Sequence, residues 1–108
     1  MNKQILYIAM YRALECLEEE SPNDALASYL DKANPYVFKD RKSADPVLYN
    51  QFMEWLNNEE VNDDNSFEVV KKYVNEKTEF PSILSEIDEE EWSALIALIK
   101  REELQLVQ

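Results

Sequence analysis

The chain contains no glycine in 108 residues, and this restricts its folding more than any other single feature. Type I′ and II′ hairpin turns and left-handed helix ends draw on glycine because it adopts positive φ without a steric penalty. A chain without it is steered away from tight β-hairpins. Its length suits one domain around one core, so the expectation is a single acidic helical domain over residues 1–108.

Hydrophobic spacing supplies the helices. Leu6, Met10, Ala13 and Leu17 recur four, three and four residues apart, with Ile5, Ala9 and Cys16 broadening the stripe, which predicts a helix over 4–20. Ser21-Pro22-Asn23-Asp24 reads as a restart, with Ser21 as cap and Pro22 in the first turn. The second helix then runs to about Lys32, and Asn34-Pro35 stops it. Asp45-Pro46 opens a third helix carrying Leu48, Phe52, Trp55 and Leu56, which fades near Asn57-Asn58. Asn65 and Glu68 have capping-box spacing for a fourth, with Phe67, Val70, Tyr73 and Val74 inward. A short helical turn is expected at Pro81. Asp88 caps the last helix, Glu91 answers it, Ile87 staples against Trp92, and Leu95, Ile96 and Ile99 continue the buried face. The predicted fold is therefore all-α: one compact bundle of about five helices, with an ordered loop bracketed by Pro35 and Pro46 between the second and third.

Twenty-three acids against 11 bases and no histidine leave a net charge of −12. That balance argues against nucleic acid and against anionic membrane surfaces as partners. Neither apolar run, "ILYIAMY" or "WSALIALI", approaches the ~20 residues of a membrane span. Arg12 and the acids before Ala25-Leu26-Ala27 argue against a signal peptide. The lone Cys16, set among Ala13, Leu14 and Leu17, is expected inside the bundle; with no disulfide partner it points to a reducing, cytoplasmic setting.

Several chemistries lack their residues. Without histidine there is no His-dependent triad, Glu-x-x-His di-iron motif or His-ligated zinc site, and without glycine there is no P-loop or dinucleotide fingerprint. The "NDDNSFE" stretch at 62–68 spaces oxygen ligands like a calcium loop but lacks the turn glycine and the closing glutamate. Glu15-x-x-Glu18 and Glu60-x-x-Asp63 could serve a magnesium-dependent all-α nucleotide pyrophosphatase, the remote enzymatic alternative, yet the second pair falls in an expected loop and short acidic runs generate such spacings by chance. No cofactor or metal is expected.

The acids are segregated. Nineteen of the 23 fall in residues 13–31, 43–70 and 78–99, which contain no Lys or Arg. Asp24 and Asp88 to Glu91 sit at predicted helix starts, where the dipole favours anions; Lys32, Lys77, Lys100 and Arg101 sit near ends. Glu18, Glu19 and Glu20 break this rule in the last turn of the first helix, each at a cost of a few tenths of a kcal/mol, up to ~1. Glu59 and Glu60 do likewise after the third. If the first three helices run up, down and up, one pole gathers Glu15, Glu18, Glu19, Glu20, Glu54, Glu59, Glu60, Asp63 and Asp64, with Tyr11, flanked by Tyr7 and Arg12, as an aromatic anchor. Such a pole would steer a basic protein partner; the plainer reading is a solvated face. The basic stretch Lys39, Arg41 and Lys42 is expected against Glu86 to Glu91, with Tyr36, Val37 and Phe38 pinning the loop to the core.

In charge and class this small acidic helical profile resembles bacterial immunity proteins, which neutralise nuclease toxins by covering a basic surface; no motif is shared. The resemblance implies a non-enzymatic, protein-binding domain, an immunity-type or DNA-mimicking neutraliser. The alternative is an accessory module, self-associating through apolar helix faces, whose charge serves solubility.

Overall fold

The structure, a computed structural model, describes the backbone of residues 2–107 and the side chains of residues 2–103. Met1 and Gln108, the ends of the expected domain, lie outside the described residues. The fold is all-α, with five helices and no strand among the described residues: α1 (Lys3–Glu20), α2 (Asp24–Ala33), α3 (Pro46–Leu56), α4 (Ser66–Lys77) and α5 (Glu89–Val107), with a 3-10 turn at Ile83–Glu86 before the last. A Cα radius of gyration of 13.0 Å is what one compact body of this length gives.

α1 is the axis of the bundle and touches the other four helices and the 3-10 turn. Leu6, Met10, Ala13 and Leu17 of its predicted stripe are buried, but so is every residue from Leu6 to Tyr11. A helix covered on several sides buries more than one face, so Tyr7 and Tyr11 belong to the core and not to an exposed rim. The Tyr7 hydroxyl donates to the Ala33 carbonyl at 2.6 Å, satisfying one of the carbonyls left open at the end of α2. Its ring meets Tyr49 and Phe52 edge-on, and the contacts continue from Phe52 to Tyr73 and from Tyr73 to Trp55, the geometry that ring quadrupoles favour. On the other side Trp92 stacks on Phe67, and its indole N–H donates to the Ser66 hydroxyl at 2.9 Å, fully inside.

Helix starts divide into those fixed locally and those fixed by the fold. Asp45 caps α3 by accepting from Val47, with Pro46 in the first helical position. Asp88 caps α5 by accepting from Glu91 at 2.8 Å. α2, however, is capped by Asn23, whose side-chain oxygen accepts from Leu26, so Ser21 and Pro22 lie outside the helix. Ser21 instead closes α1, its N–H donating to the Leu17 carbonyl. Asn65 makes no capping bond. Its oxygen accepts from Asn62 N–H and its amide donates to the Glu60 carbonyl, so it braces the preceding loop and the expected capping box is not made. The turn expected at Pro81 becomes helical only at Ile83, after Ser82 adopts a left-handed conformation at φ 65°.

Candidate interaction surface

α1 ends at Glu20 with no basic residue in its last turn, placing Glu18, Glu19 and Glu20 where the helix dipole opposes them. Glu19 and Glu20 are exposed and Glu18 half-buried. None of the three forms an ion pair among the described residues. Glu15, just under one turn before Glu18, accepts from the Tyr11 hydroxyl at 3.2 Å. Burial first, then the charges of Glu19 and Glu15, push the Cys16 thiol above its ordinary pKa. That thiol is exposed, which corrects its expected place inside the bundle: the buried stripe narrows as α1 nears its end, and Cys16 turns outward with the glutamates.

The second acidic run is handled differently. Glu59 pairs with Lys72 of α4 at 3.2 Å and Asp63 with Lys100 of α5 at 3.3 Å, so part of it is neutralised from within. Glu54, Glu60 and Asp64 are exposed. No hydrogen bond or ion pair among the described residues joins this run to Glu15–Glu20. Tyr11 is only 5% exposed, so it is a core residue and not the aromatic anchor expected from the sequence. Burial, then Glu15, push its phenol pKa upward.

The loop between α2 and α3 departs most from expectation. Val37 and Phe38 point to solvent, 53% and 56% exposed, as does Val47 at the start of α3; of the three residues expected to pin the loop to the core, Tyr36 alone does so, its ring meeting the buried Tyr11 edge-on at 6.2 Å. Polar contacts hold the rest. Asn34 accepts from the Tyr36 N–H, Ala44 N–H donates to the Asn34 carbonyl, and Asp45 N–H to the Lys32 carbonyl. Gln4 of α1 donates to the Asp40 carbonyl and Arg12 to the Tyr36 hydroxyl. The buried Ser43 hydroxyl donates to the Asp45 carbonyl and accepts from Tyr49 N–H. Arg41 reaches Glu103 at 3.5 Å while its guanidinium lies 5.3 Å from the Tyr36 ring centre. The basic loop therefore anchors to the far end of α5 and not to the acids Glu86–Glu91 at its start. Lys39 and Lys42 remain exposed, Lys42 lying 5.8 Å from the Tyr49 ring centre.

Of the clefts with aromatic walls, two border α3. One, of about 340 Å³, lies over Trp55 and Tyr73 with Glu54 and Lys77 at its edge. The other, of about 300 Å³, lies between Phe38, Pro46 and Tyr49. Among the described residues no group of three or more carboxylate or thiol side chains converges on a metal position, and no helix is long and apolar enough to cross a membrane. Each carboxylate pair considered for magnesium has a member already engaged, Glu15 by Tyr11 and Asp63 by Lys100. Compared with known proteins, the chain matches no family model, no curated protein and no solved structure.

The missed features were the outward loop and its anchors. "PYVFKDRK" announced exposed apolar residues only to a reader who could see that Arg12 and Glu103, far away in sequence, hold the loop by its polar groups.

Proposed function

We propose that this chain is a non-enzymatic binding domain of the cytoplasm that recognises a basic protein through the carboxylates closing α1, in the manner of an immunity-type or DNA-mimicking neutraliser. The observation that carries the reading is the unneutralised run Glu18, Glu19 and Glu20 at a helix end that disfavours anions, in a molecule that elsewhere pairs Glu59, Asp63, Glu102 and Glu103 internally. Charge retained against a local cost is compensated when a partner's Lys and Arg side chains meet it. The remaining exposed acids, Glu54, Glu60 and Asp64 among them, add the long-range field that accelerates encounter with a basic surface.

The test is affinity capture from the native host with elution by a salt gradient, run beside the triple variant Glu18→Gln, Glu19→Gln, Glu20→Gln. A basic protein released at moderate salt and lost in the variant supports the reading. A partner indifferent to salt and to the substitutions, or none, moves the assignment to an accessory module whose charge serves solubility. Because the three glutamates oppose the dipole, the variant should melt no lower than the parent, so lost binding cannot be blamed on unfolding.

A further inference from the structure

We infer that the cleft between α3 and α4, walled by Trp55 and Tyr73, binds a free α-amino acid with an apolar side chain. The inference does not rest on the carboxylates at the end of α1. The cleft holds about 340 Å³, at the lower end of the ~300–1,000 Å³ of ligand sites and matched to a small molecule. Its lining residues Gln51, Glu54, Trp55, Asn58, Tyr73 and Lys77 each carry a polar side-chain group, and none of these groups makes a hydrogen bond or ion pair among the described residues. Elsewhere the same chemistry is used internally: the Trp92 indole donates to Ser66 and the Tyr7 hydroxyl to Ala33. Tyr73 is the sharpest contrast. It is only 3% exposed, and a polar group held at the core without a partner is a local cost. Arg41 Nε is the one fully enclosed atom without a partner among the described residues, so the Tyr73 hydroxyl keeps an opening to solvent, and the cleft that the residue lines supplies it.

Two opposite charges set the class of ligand. Glu54 and Lys77 border the same cleft without pairing with each other or with any other described residue. Lys72, 5.8 Å from the Trp55 ring centre, is already paired with Glu59, so this neighbouring pair leaves the local balance even. An amine would answer Glu54 and leave Lys77 without a counter-charge, and a carboxylic acid would do the reverse. A molecule carrying an ammonium and a carboxylate a few bonds apart answers both. Being neutral overall, it approaches a chain of net charge −12 without net repulsion. The Gln51 and Asn58 amides offer both donors and acceptors to its remaining hydrogen-bonding groups, and the Trp55 and Tyr73 rings give its side chain an apolar wall.

Isothermal titration calorimetry of the full chain with the apolar and aromatic L-amino acids tests this. At least one should bind saturably with a Kd of about 1 mM or tighter. Its deaminated acid and its decarboxylated amine should each bind about tenfold or more weakly, because each leaves one charge of the cleft unanswered. Glu54→Gln should weaken the amino acid about tenfold and leave the acid analogue unchanged, and Lys77→Gln should weaken it equally and leave the amine analogue unchanged. Tyr73→Phe removes a hydroxyl without a partner in the protein, so it should melt no lower than the parent while binding the amino acid less tightly. The triple glutamine variant of α1 should bind it as the parent does, so this inference and the proposed function fail separately. No saturation by any amino acid below about 10 mM, analogues that bind as well as the amino acid, or binding indifferent to both Glu54→Gln and Lys77→Gln would each overturn the inference.

Discussion

Raising the pH above 10 should unfold this protein steeply, with its tyrosines setting the slope. Tyr7 and Tyr73 are buried and Tyr29 is half-buried. Burial pushes all three phenols above their ordinary value of 10.0, because a phenolate in the core loses its hydration. Ionising Tyr7 would also remove the proton it donates to Ala33. Below pH ~10 both folded and unfolded chains keep these protons, and the groups add no pH dependence. Above it the unfolded chain binds fewer protons than the folded one, so stability falls by ~1.4 kcal/mol per pH unit for each tyrosine until its folded-state pKa is reached. Three tyrosines give a slope of ~4 kcal/mol per pH unit. A domain near the lower end of the typical ~5–15 kcal/mol loses cooperative structure within about one to two units above pH 10. Tyr11 and Tyr49, also raised by burial first and by Glu15 and Asp40 second, steepen the fall. Denaturant melts across this range, read in parallel by far-ultraviolet circular dichroism and tyrosinate absorbance, measure it. With no histidine to titrate, stability should be nearly flat between about pH 6 and 9. Tyrosinate from Tyr7, Tyr29 and Tyr73 should then appear together with the loss of helix, and Tyr29→Phe should shallow the slope by ~1.4 kcal/mol per pH unit. Free titration of these three near pH 10 with the helical signal intact would refute the reasoning.

Three further outcomes are expected. Ser66→Ala leaves the buried Trp92 indole N–H without its acceptor, costing ~1–3 kcal/mol and lowering the melting midpoint by ~4–8 °C per kcal/mol; an unchanged calorimetric scan would show that water replaces the hydroxyl. Ser82→Gly relieves a left-handed residue whose hydroxyl makes no hydrogen bond in the described structure. The ~1–2 kcal/mol of strain removed offsets the ~0.5–1 kcal/mol of added chain entropy, so denaturant melts should show a gain of up to ~1.5 kcal/mol. Cys16, exposed but with its thiol pKa raised by burial and by Glu19 and Glu15, should react to completion with disulfide reagents in native buffer, slowly, and faster as salt screens the glutamates. A thiol silent until denaturant is added would contradict its exposure.

The sequence reveals what is decided within a few residues. Asp45-Pro46 and Asp88 with Glu91 mark helix starts because cap, proline and answering amide lie in one turn. The same signals misplace the cap of α2, where Ser21 and Asn23 offer equivalent chemistry two residues apart; Asn23 makes the cap while Ser21 closes α1. They also misread Asn65, whose side chain had a competing use in the Asn62 turn. Periodicity located α1 but measures only which face is apolar. It could not show that other helices surround Tyr7 and Tyr11, nor that Cys16 falls outside a buried stripe that continues to Leu17. The acidic runs were legible as charge; their partners were not, because Lys72 and Lys100 approach Glu59 and Asp63 from helices distant in sequence.

The missing glycines and the outward loop are connected through Arg41. It and Ser82 are the two residues with positive φ among those described, and a β-carbon there costs ~1–2 kcal/mol that glycine would avoid. Glycine at position 41 would relax the backbone but delete the guanidinium that lies by Tyr36 and reaches Glu103. The Arg41 Nε is buried without a hydrogen bond, its approach to Glu103 being an ion pair without hydrogen-bond geometry, so the residue carries a second local cost. Two penalties at one side chain that holds a loop with its hydrophobic residues facing water are hard to reconcile with a connection whose task is only to join two helices. They are consistent with a loop whose shape is maintained for contact, since strain and unsatisfied groups concentrate where structure is held for a purpose other than stability.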